Sequence, residues 1–135
     1  MNTMLDDHLL QDFIDGFYGY GNYNAPYWFV GMEEGGGNSA DEINSRLQAW
    51  RTRGRREIED VADYHRAFGI SKYWEKRPPL EATWNKIIRI YLASKGAQPT
   101  TDDVRFYQRD HLGREGGDTC LLELLPLPSP STSHW

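Results

Sequence analysis

The sequence has little cysteine, no excess of basic residues and no long hydrophobic run. Its single cysteine, Cys120, excludes an internal disulfide framework and is typical of a reducing compartment. The formal net charge of -5 gives the chain no overall basic surface, so any contact with nucleic acid would need a local patch. No apolar run approaches the roughly 20 residues of a membrane helix, and residues 1–10 lack the basic start of a signal peptide. We therefore expect a cytoplasmic protein without a membrane segment.

The composition is that of a folded domain. Of the 135 residues, 39% are hydrophobic and 13% are aromatic, which excludes a disordered chain. This length fits one domain over residues 1–135. The sequence predicts only two convincing strands, and two strands seldom form a stable sheet alone. We therefore expect an α/β domain that is incomplete at its C-terminus, the N-terminal portion of a longer protein.

The two predicted strands share one design, an apolar run that leads to carboxylates. Residues 27–32 are apolar and are followed by Glu33, Glu34 and three glycines, and residues 119–126 carry Glu123. A strand that is apolar throughout is expected to be covered on both faces. In α/β proteins ligands bind at the carboxyl ends of strands. The sequence therefore predicts that both strand ends face one pocket.

Helices are predicted from apolar periodicity and from capping residues. The order is α-β-α-α-α-α-β, in which a helical crossover joins two parallel strands. Predicted helices cover residues 4–19, a segment that starts at Ser39, residues 57–68, residues 84–95 after an N-cap at Thr83, and a segment capped by Thr100.

Residues 17–26 form an aromatic, glycine-rich segment that is predicted to be a loop. Its tyrosines, among them Tyr20 and Tyr23, either pack over the sheet edge or form a wall on which a flat ring stacks. A second biased segment, residues 51–56, holds four arginines. It is either a solvated linker or a phosphate-contacting patch that includes Arg53, Arg55 and Arg56.

The three acids suggest two kinds of role. Burial raises the pKa of a carboxyl and suits Glu33, Glu34 and Glu123 to proton transfer or to positioning a water. Alternatively, they accept hydrogen bonds from the backbone or pair with arginine. Three acids without clustered histidines would suit magnesium at best, so we predict no metal site and no cofactor.

Two short segments resemble the uracil-DNA glycosylase superfamily. The sequence Gly31-Met32-Glu33-Glu34-Gly35 resembles the first active-site motif, most closely the Gly-Met-Asn-Pro-Gly form of the single-strand-selective monofunctional branch. The Gly-Glu-x-Pro-Gly form of the iron–sulfur branch is also similar. Residues 120–127 resemble the strand that ends in Asn-Leu-Cys-Pro-Leu in that family. The cysteines of the iron–sulfur branch and the later histidine motif have no counterpart before Trp135.

The resemblance implies a three-layer α/β/α fold with a short parallel sheet and a flipped base at the strand ends. Glu33 stands in place of the motif's Asn or acid, and Glu34 in place of its Pro. The base and its sugar would be bound by Gly31, Met32, Gly35, Gly36, Glu123 and a stacking Tyr20 or Tyr23. Glu123 replaces the Asn that reads uracil. A carboxylate only accepts hydrogen bonds, so it suits an exocyclic amine, whereas a protonated Glu123 would mimic the amide.

The expected activity is hydrolysis of the N-glycosidic bond of a flipped uracil or other modified base in base-excision DNA repair. Glu33 or Glu34 would orient the water, and the arginine patch would touch DNA phosphates. The partner is DNA with a damaged or modified base, or a free nucleobase or nucleotide. One alternative is a non-catalytic base-binding module of the same fold. Another is a structural interaction domain that uses exposed aromatics such as Trp74 or Trp135.

Overall fold

The computed structural model describes residues 4–130 and has a mixed α/β fold. This part of the chain contains five α-helices, one short 3-10 turn at Lys72–Trp74 and four strands. The helices are α1 (Asp7–Gly16), α2 (Ala40–Thr52), α3 (Val61–Ala67), α4 (Ala82–Ser94) and α5 (Thr101–Asp110). The strands are β1 (Gly19–Gly21), β2 (Tyr27–Gly31), β3 (Ile58–Glu59) and β4 (Thr119–Glu123).

The four described strands form one sheet in the order β2-β4-β1-β3. β2 and β4 are parallel neighbours, with Tyr27 opposite Thr119 and Gly31 opposite Glu123. β1 runs antiparallel to β4 and parallel to β3. The predicted parallel pair is therefore confirmed, but the sheet is mixed rather than wholly parallel.

The prediction of a loop over residues 17–26 is wrong at its centre, where β1 lies in the sheet with all three residues buried. Gly19 and Gly21 have φ angles of +153° and +102°, and a Cβ at either position would collide with a backbone oxygen of β4. The glycines therefore allow a close approach of two strands. A sequence pattern rich in glycine does not distinguish this use from a flexible loop.

Three helix boundaries differ from the prediction because another side chain caps the helix. α3 begins after Asp60, whose carboxylate accepts from the amides of Ala62 and Asp63, so Ile58 and Glu59 belong to a strand. α4 is capped by Glu81 rather than Thr83. α1 spans only Asp7–Gly16 of the predicted 4–19 and is capped by Asp6.

Two predicted helix starts are confirmed. Ser39 accepts from the amide of Glu42, and Thr100 forms a full capping box with Asp103. The Glu42 carboxylate accepts from the amide of Asn38, one residue before the position that a complete box requires.

The core joins all five helices to the central strands β1 and β4. Its fully buried side chains include Leu9, Phe13, Tyr20, Leu47, Tyr64, Ile88, Val104 and Leu112. Trp74 is also buried, so it is not an exposed interaction residue, and Trp135 lies outside the described residues. Within residues 4–130 no helix combines the length and the apolar character that crossing a membrane requires.

The expectation that residues 27–32 are covered on both faces is wrong. β2 is an edge strand, and Trp28 and Val30 are 51% and 60% exposed. An edge strand lacks a neighbour on one side, so an apolar sequence does not guarantee burial.

Candidate functional site

A cavity of about 570 Å³ lies at the carboxyl ends of β2 and β4. Glu33, Glu34 and Glu123 all line it, which confirms that the two strand ends face one pocket. The remaining lining comes from the loop after β2, from residues of α2 and α3, from the start of α4 with its cap Glu81, and from the segment that contains the 3-10 turn. The parallel pairing of β2 and β4 thus brings together acids that are far apart in the sequence.

Glu34 is held by three side chains. Its Oε2 accepts from the Tyr20 hydroxyl at 2.6 Å and from Nη1 of Arg46 at 2.9 Å, and its Oε1 lies 2.6 Å from Nε2 of His65. Burial alone would raise the pKa of Glu34, but the charges of His65 and Arg46 and the hydrogen bonds from His65 and Tyr20 lower it to about 2. Glu34 is therefore ionised at neutral pH and fixed in position.

His65 connects this carboxylate to the backbone of α3. Its Nδ1 lies 2.6 Å from the carbonyl oxygen of Val61, and its Nε2 faces Glu34. A carbonyl and an ionised carboxylate both only accept hydrogen bonds, so the ring of His65 is held between two acceptors. Glu34 in turn lies between His65 and the guanidinium of Arg46.

Glu123 has the opposite electrostatic environment. Burial, with added repulsion from Glu34 and Glu33, raises the pKa of its carboxyl to about 7. Its Oε2 is buried and has no hydrogen-bond partner among residues 4–130, and the same is true of Oε2 of Glu33. The cavity therefore combines one tightly held carboxylate with two whose second oxygens are unused.

The glycine loop after β2 leaves room for these side chains. Gly36 has a φ of +120°, and a Cβ there would lie 2.5 Å from Oε1 of Glu42 and 3.1 Å from Nη2 of Arg46. The loop also pairs with the segment after β4, where the amide of Ser129 donates to the carbonyl of Glu34. Gly35 and Gly36 both line the cavity, as the motif predicts.

Four predicted contact residues lie outside the cavity lining: Gly31, Met32, Tyr20 and Tyr23. Tyr20 is only 2% exposed, so it has no free ring face for stacking and acts through its hydroxyl on Glu34. Tyr23 is 42% exposed but contacts Trp28 and does not line the cavity. Met32 is exposed outside the cavity lining. The aromatic rings at the cavity belong to Tyr73 and Trp84 instead.

The predicted phosphate patch is paired with the protein's own acids. Arg53 and Arg56 both reach the fully buried carboxylate of Glu59, with nitrogen–oxygen distances of 3.0 and 3.5 Å. Arg55 contacts Asp12 at 2.5 Å, and both side chains are about half exposed. The three arginines lie outside the cavity lining.

The sequence did not predict four residues of the site, namely Arg46, His65, Tyr73 and Trp84. Two of them, Arg46 and His65, are nevertheless indicated by a sequence pattern, a polar residue on an apolar helix face. Arg46 lies on the helix face that also carries Ile43, Leu47 and Trp50, and a charge on an apolar face usually has a buried partner. His65 lies on the buried face of α3 in the same way. Their convergence on Glu34 depends on how α2 and α3 pack, which periodicity does not reveal.

Comparisons with family models, with curated proteins and with solved structures gave no match. The resemblance to uracil-DNA glycosylases therefore rests on the two short motifs alone. Within the described part of the chain, no group of three or more histidine, cysteine, aspartate or glutamate side chains is arranged to hold a metal ion.

Proposed function

We propose that the cavity holds a flipped nucleobase and that the protein hydrolyses the N-glycosidic bond to its deoxyribose, as in base-excision DNA repair. The observation that carries this proposal is the separation of two carboxyl pKa values at one cavity, about 2 for Glu34 and about 7 for Glu123. Such a pair gives the cavity one permanently ionised carboxylate and one carboxyl whose charge can change near neutral pH, which are two different roles at one site. Trp84 and Tyr73 offer rings for stacking.

Each acid has a distinct proposed role. Water attacks C1′ of the sugar, the C1′–N bond breaks, and the base leaves with the electron pair. Glu33 accepts the proton of the water, because its Oε2 is unused whereas both oxygens of Glu34 are engaged. Glu34 supplies a fixed negative charge that favours the positive charge developing on the sugar. Glu123 contacts the edge of the base.

DNA is proposed to contact the surface through the arginine segment. Arg55 and Arg56 are the more exposed members, and the ion pair of Arg55 is a surface pair with Asp12, while its guanidinium also lies 5.8 Å from the centroid of the Trp50 ring. Exposed pairs contribute little free energy, so phosphate oxygens can replace such a partner. Arg53 is held more firmly by the buried Glu59.

The test is single-turnover base release from labelled single-stranded and duplex DNA that carries uracil, hypoxanthine, xanthine or a methylated base. We expect release from at least one substrate and a rate about 10²–10⁴-fold lower for Glu33→Gln, the range for loss of a general base. Glu75→Gln, an exposed acid outside the cavity lining, is the matched control. A folded protein that releases no base from any substrate would overturn the proposal.

A non-catalytic base-binding module is the second candidate, and the engagement of Glu34 favours it. The Glu34 carboxylate already has hydrogen-bond contacts with Tyr20, Arg46 and His65, which suits it to a structural role in the wall of the pocket. This candidate predicts saturable binding of a free base or nucleotide without product. It also predicts that binding survives Glu33→Gln.

A further inference from the structure

The cavity lining carries an excess of negative charge. It includes five carboxyls, two cations and one imidazole: Glu33, Glu34, Glu42, Glu81 and Glu123 against Arg46, Lys72 and His65. Arg46 and His65 already have partners within the cavity wall. Arg46 bridges Glu34 at 2.9 Å and Glu42 at 3.5 Å, and His65 contacts Glu34. The surplus charge therefore lies on the remaining acids.

Two of those acids offer unused acceptors to a ligand. Oε2 of Glu33 and Oε2 of Glu123 are buried and lack a hydrogen-bond partner in the described structure. A buried carboxylate oxygen without a donor carries a free-energy cost, because burial has removed its hydrogen bonds to water. A ligand that brings N–H groups or positive charge offsets this cost. A ring edge made only of carbonyl oxygens would leave both atoms without a donor.

The aromatic part of the wall also suits a cation. Trp84 and Tyr73 pack edge to face, with ring centroids 5.6 Å apart. Nζ of Lys72 already lies 4.8 Å from the Tyr73 centroid, so Trp84 is the ring of this pair that we assign to a cationic ligand. Aromatic faces attract cations, most strongly where water is excluded.

We infer that the cavity selects a flat heterocycle that carries delocalised positive charge and N–H donors, namely a nucleobase alkylated on a ring nitrogen. Glu123 contacts its donors, the nearby carboxylate of Glu33 favours its positive charge, and Trp84 contacts its face. The reaction of this ligand rests on the proposed function. The class of ligand rests on the cavity alone.

A cationic base also simplifies the proposed reaction. The oxygen of water bonds to C1′, and the electron pair of the C1′–N bond passes to the ring nitrogen and neutralises the charge of the base. The proton of the water goes to Glu33. No acid is needed to protonate the leaving base, so the ionised form of Glu123 is the useful one.

The test is calorimetric titration of the full chain with isomeric nucleosides that differ in charge. The first pair is 3-methyl-2′-deoxycytidine, a cation at neutral pH, and neutral 5-methyl-2′-deoxycytidine. The second pair is 1-methyl-2′-deoxyadenosine and N6-methyl-2′-deoxyadenosine. We expect the cation of at least one pair to bind about tenfold more tightly than its isomer, the size of one desolvated cation contact.

Substitutions connect this preference to the cavity. Glu123→Gln removes the charge but keeps the shape, so we expect it to reduce the preference for the cation by at least about fivefold. Glu75→Gln should leave the preference unchanged. Equal binding of both isomers, tighter binding of the neutral isomers, no binding of any of the four, or a full preference in Glu123→Gln would each overturn the inference.

Failure of this inference is distinguishable from failure of the proposed function. Preferential binding of the cations, with no base released from DNA that contains them, would support the ligand class and reject hydrolysis. Release of uracil from DNA, together with equal binding of the isomers, would support hydrolysis and reject the ligand class.

Discussion

Gly31 and Glu123 face each other across the parallel ladder of β2 and β4, and the carboxylate of Glu123 occupies the space where a Cβ on Gly31 would be. An added Cβ would lie 2.7 Å from Oε2 of Glu123. The absence of a side chain at Gly31 therefore places this carboxylate at the cavity.

Replacing Gly31 by alanine should displace the Glu123 carboxylate. We expect Gly31→Ala to weaken binding of the cationic nucleosides about tenfold and to lower the free energy of unfolding by about 1 kcal/mol, since a flexible side chain can move aside. Calorimetry and urea unfolding measure the two effects. Gly116→Ala, where a Cβ meets no atom within 4 Å, is the control. Wild-type affinity in Gly31→Ala would show that the position of Glu123 does not matter.

Glu123 should make the protein less stable as the pH rises. Its pKa is about 7 in the folded protein and near the ordinary 4.5 when unfolded, so the folded state binds more protons between these values. The free energy of unfolding should therefore fall from about pH 4.5 to about pH 7 and then level off. Urea unfolding across this range tests the expectation, and Glu123→Gln should flatten the profile. A decline that is identical in the variant would assign it to other groups.

Glu34 should act in the opposite sense at acid pH. Its folded-state pKa of about 2 lies below the ordinary 4.5, so its contribution is present above pH 4.5 and is lost as the pH falls toward 2. Asp60 and Asp118, whose pKa values are also lowered, add to this loss. Acid unfolding followed by circular dichroism should be shallower in Glu34→Gln than in the wild type. Equal steepness would contradict the assignment.

Arg46 should be among the residues whose loss is most destabilising. Its side chain is 5% exposed and pairs with Glu34, so Arg46→Ala leaves a buried carboxylate with less compensation. We expect a loss of about 3–5 kcal/mol in the free energy of unfolding. Arg77→Ala, which breaks an exposed pair with Asp102, should cost less than about 1 kcal/mol. A small loss in Arg46→Ala would show that Glu34 needs only Tyr20 and His65.

The arginine segment should separate into a structural and a binding part. Arg53→Ala removes a partner of the buried Glu59 and should lower the free energy of unfolding by about 2 kcal/mol, because Arg56 still compensates in part. Arg55→Ala should change stability by less than about 0.5 kcal/mol. If Arg55 contacts a phosphate, its loss should reduce by about one the slope of the logarithm of the DNA-binding constant against the logarithm of the salt concentration. An unchanged salt slope would remove Arg55 from the DNA interface.

The part of the site that follows from the sequence is the meeting of Glu33, Glu34 and Glu123. Two apolar runs joined by helices predict parallel neighbours, and their register brings both strand ends to one edge. The short strands β1 and β3 could not be predicted, since three and two residues give no period.

The side chains that contact the acids cannot be predicted from sequence patterns. Arg46 and His65 belong to different helices, and only their packing brings both to Glu34. The role of Tyr20 was mistaken because an exposed ring and a buried ring that donates through its hydroxyl have the same sequence signal. The exposure of β2 is not predicted by the sequence, because an apolar edge strand and an apolar central strand have the same sequence pattern.

The pairing of Tyr27 with Thr119 also sets the order in which the molecule can assemble. β2 and β4 are separated in the chain by four of the five described helices, and closing so long a loop costs entropy before any ladder hydrogen bond compensates. A nascent chain on the ribosome that has not yet released β4 cannot form the cavity, because Glu123 of β4 lines it. Biosynthesis thus completes the cavity in a single step, once β4 has left the ribosome.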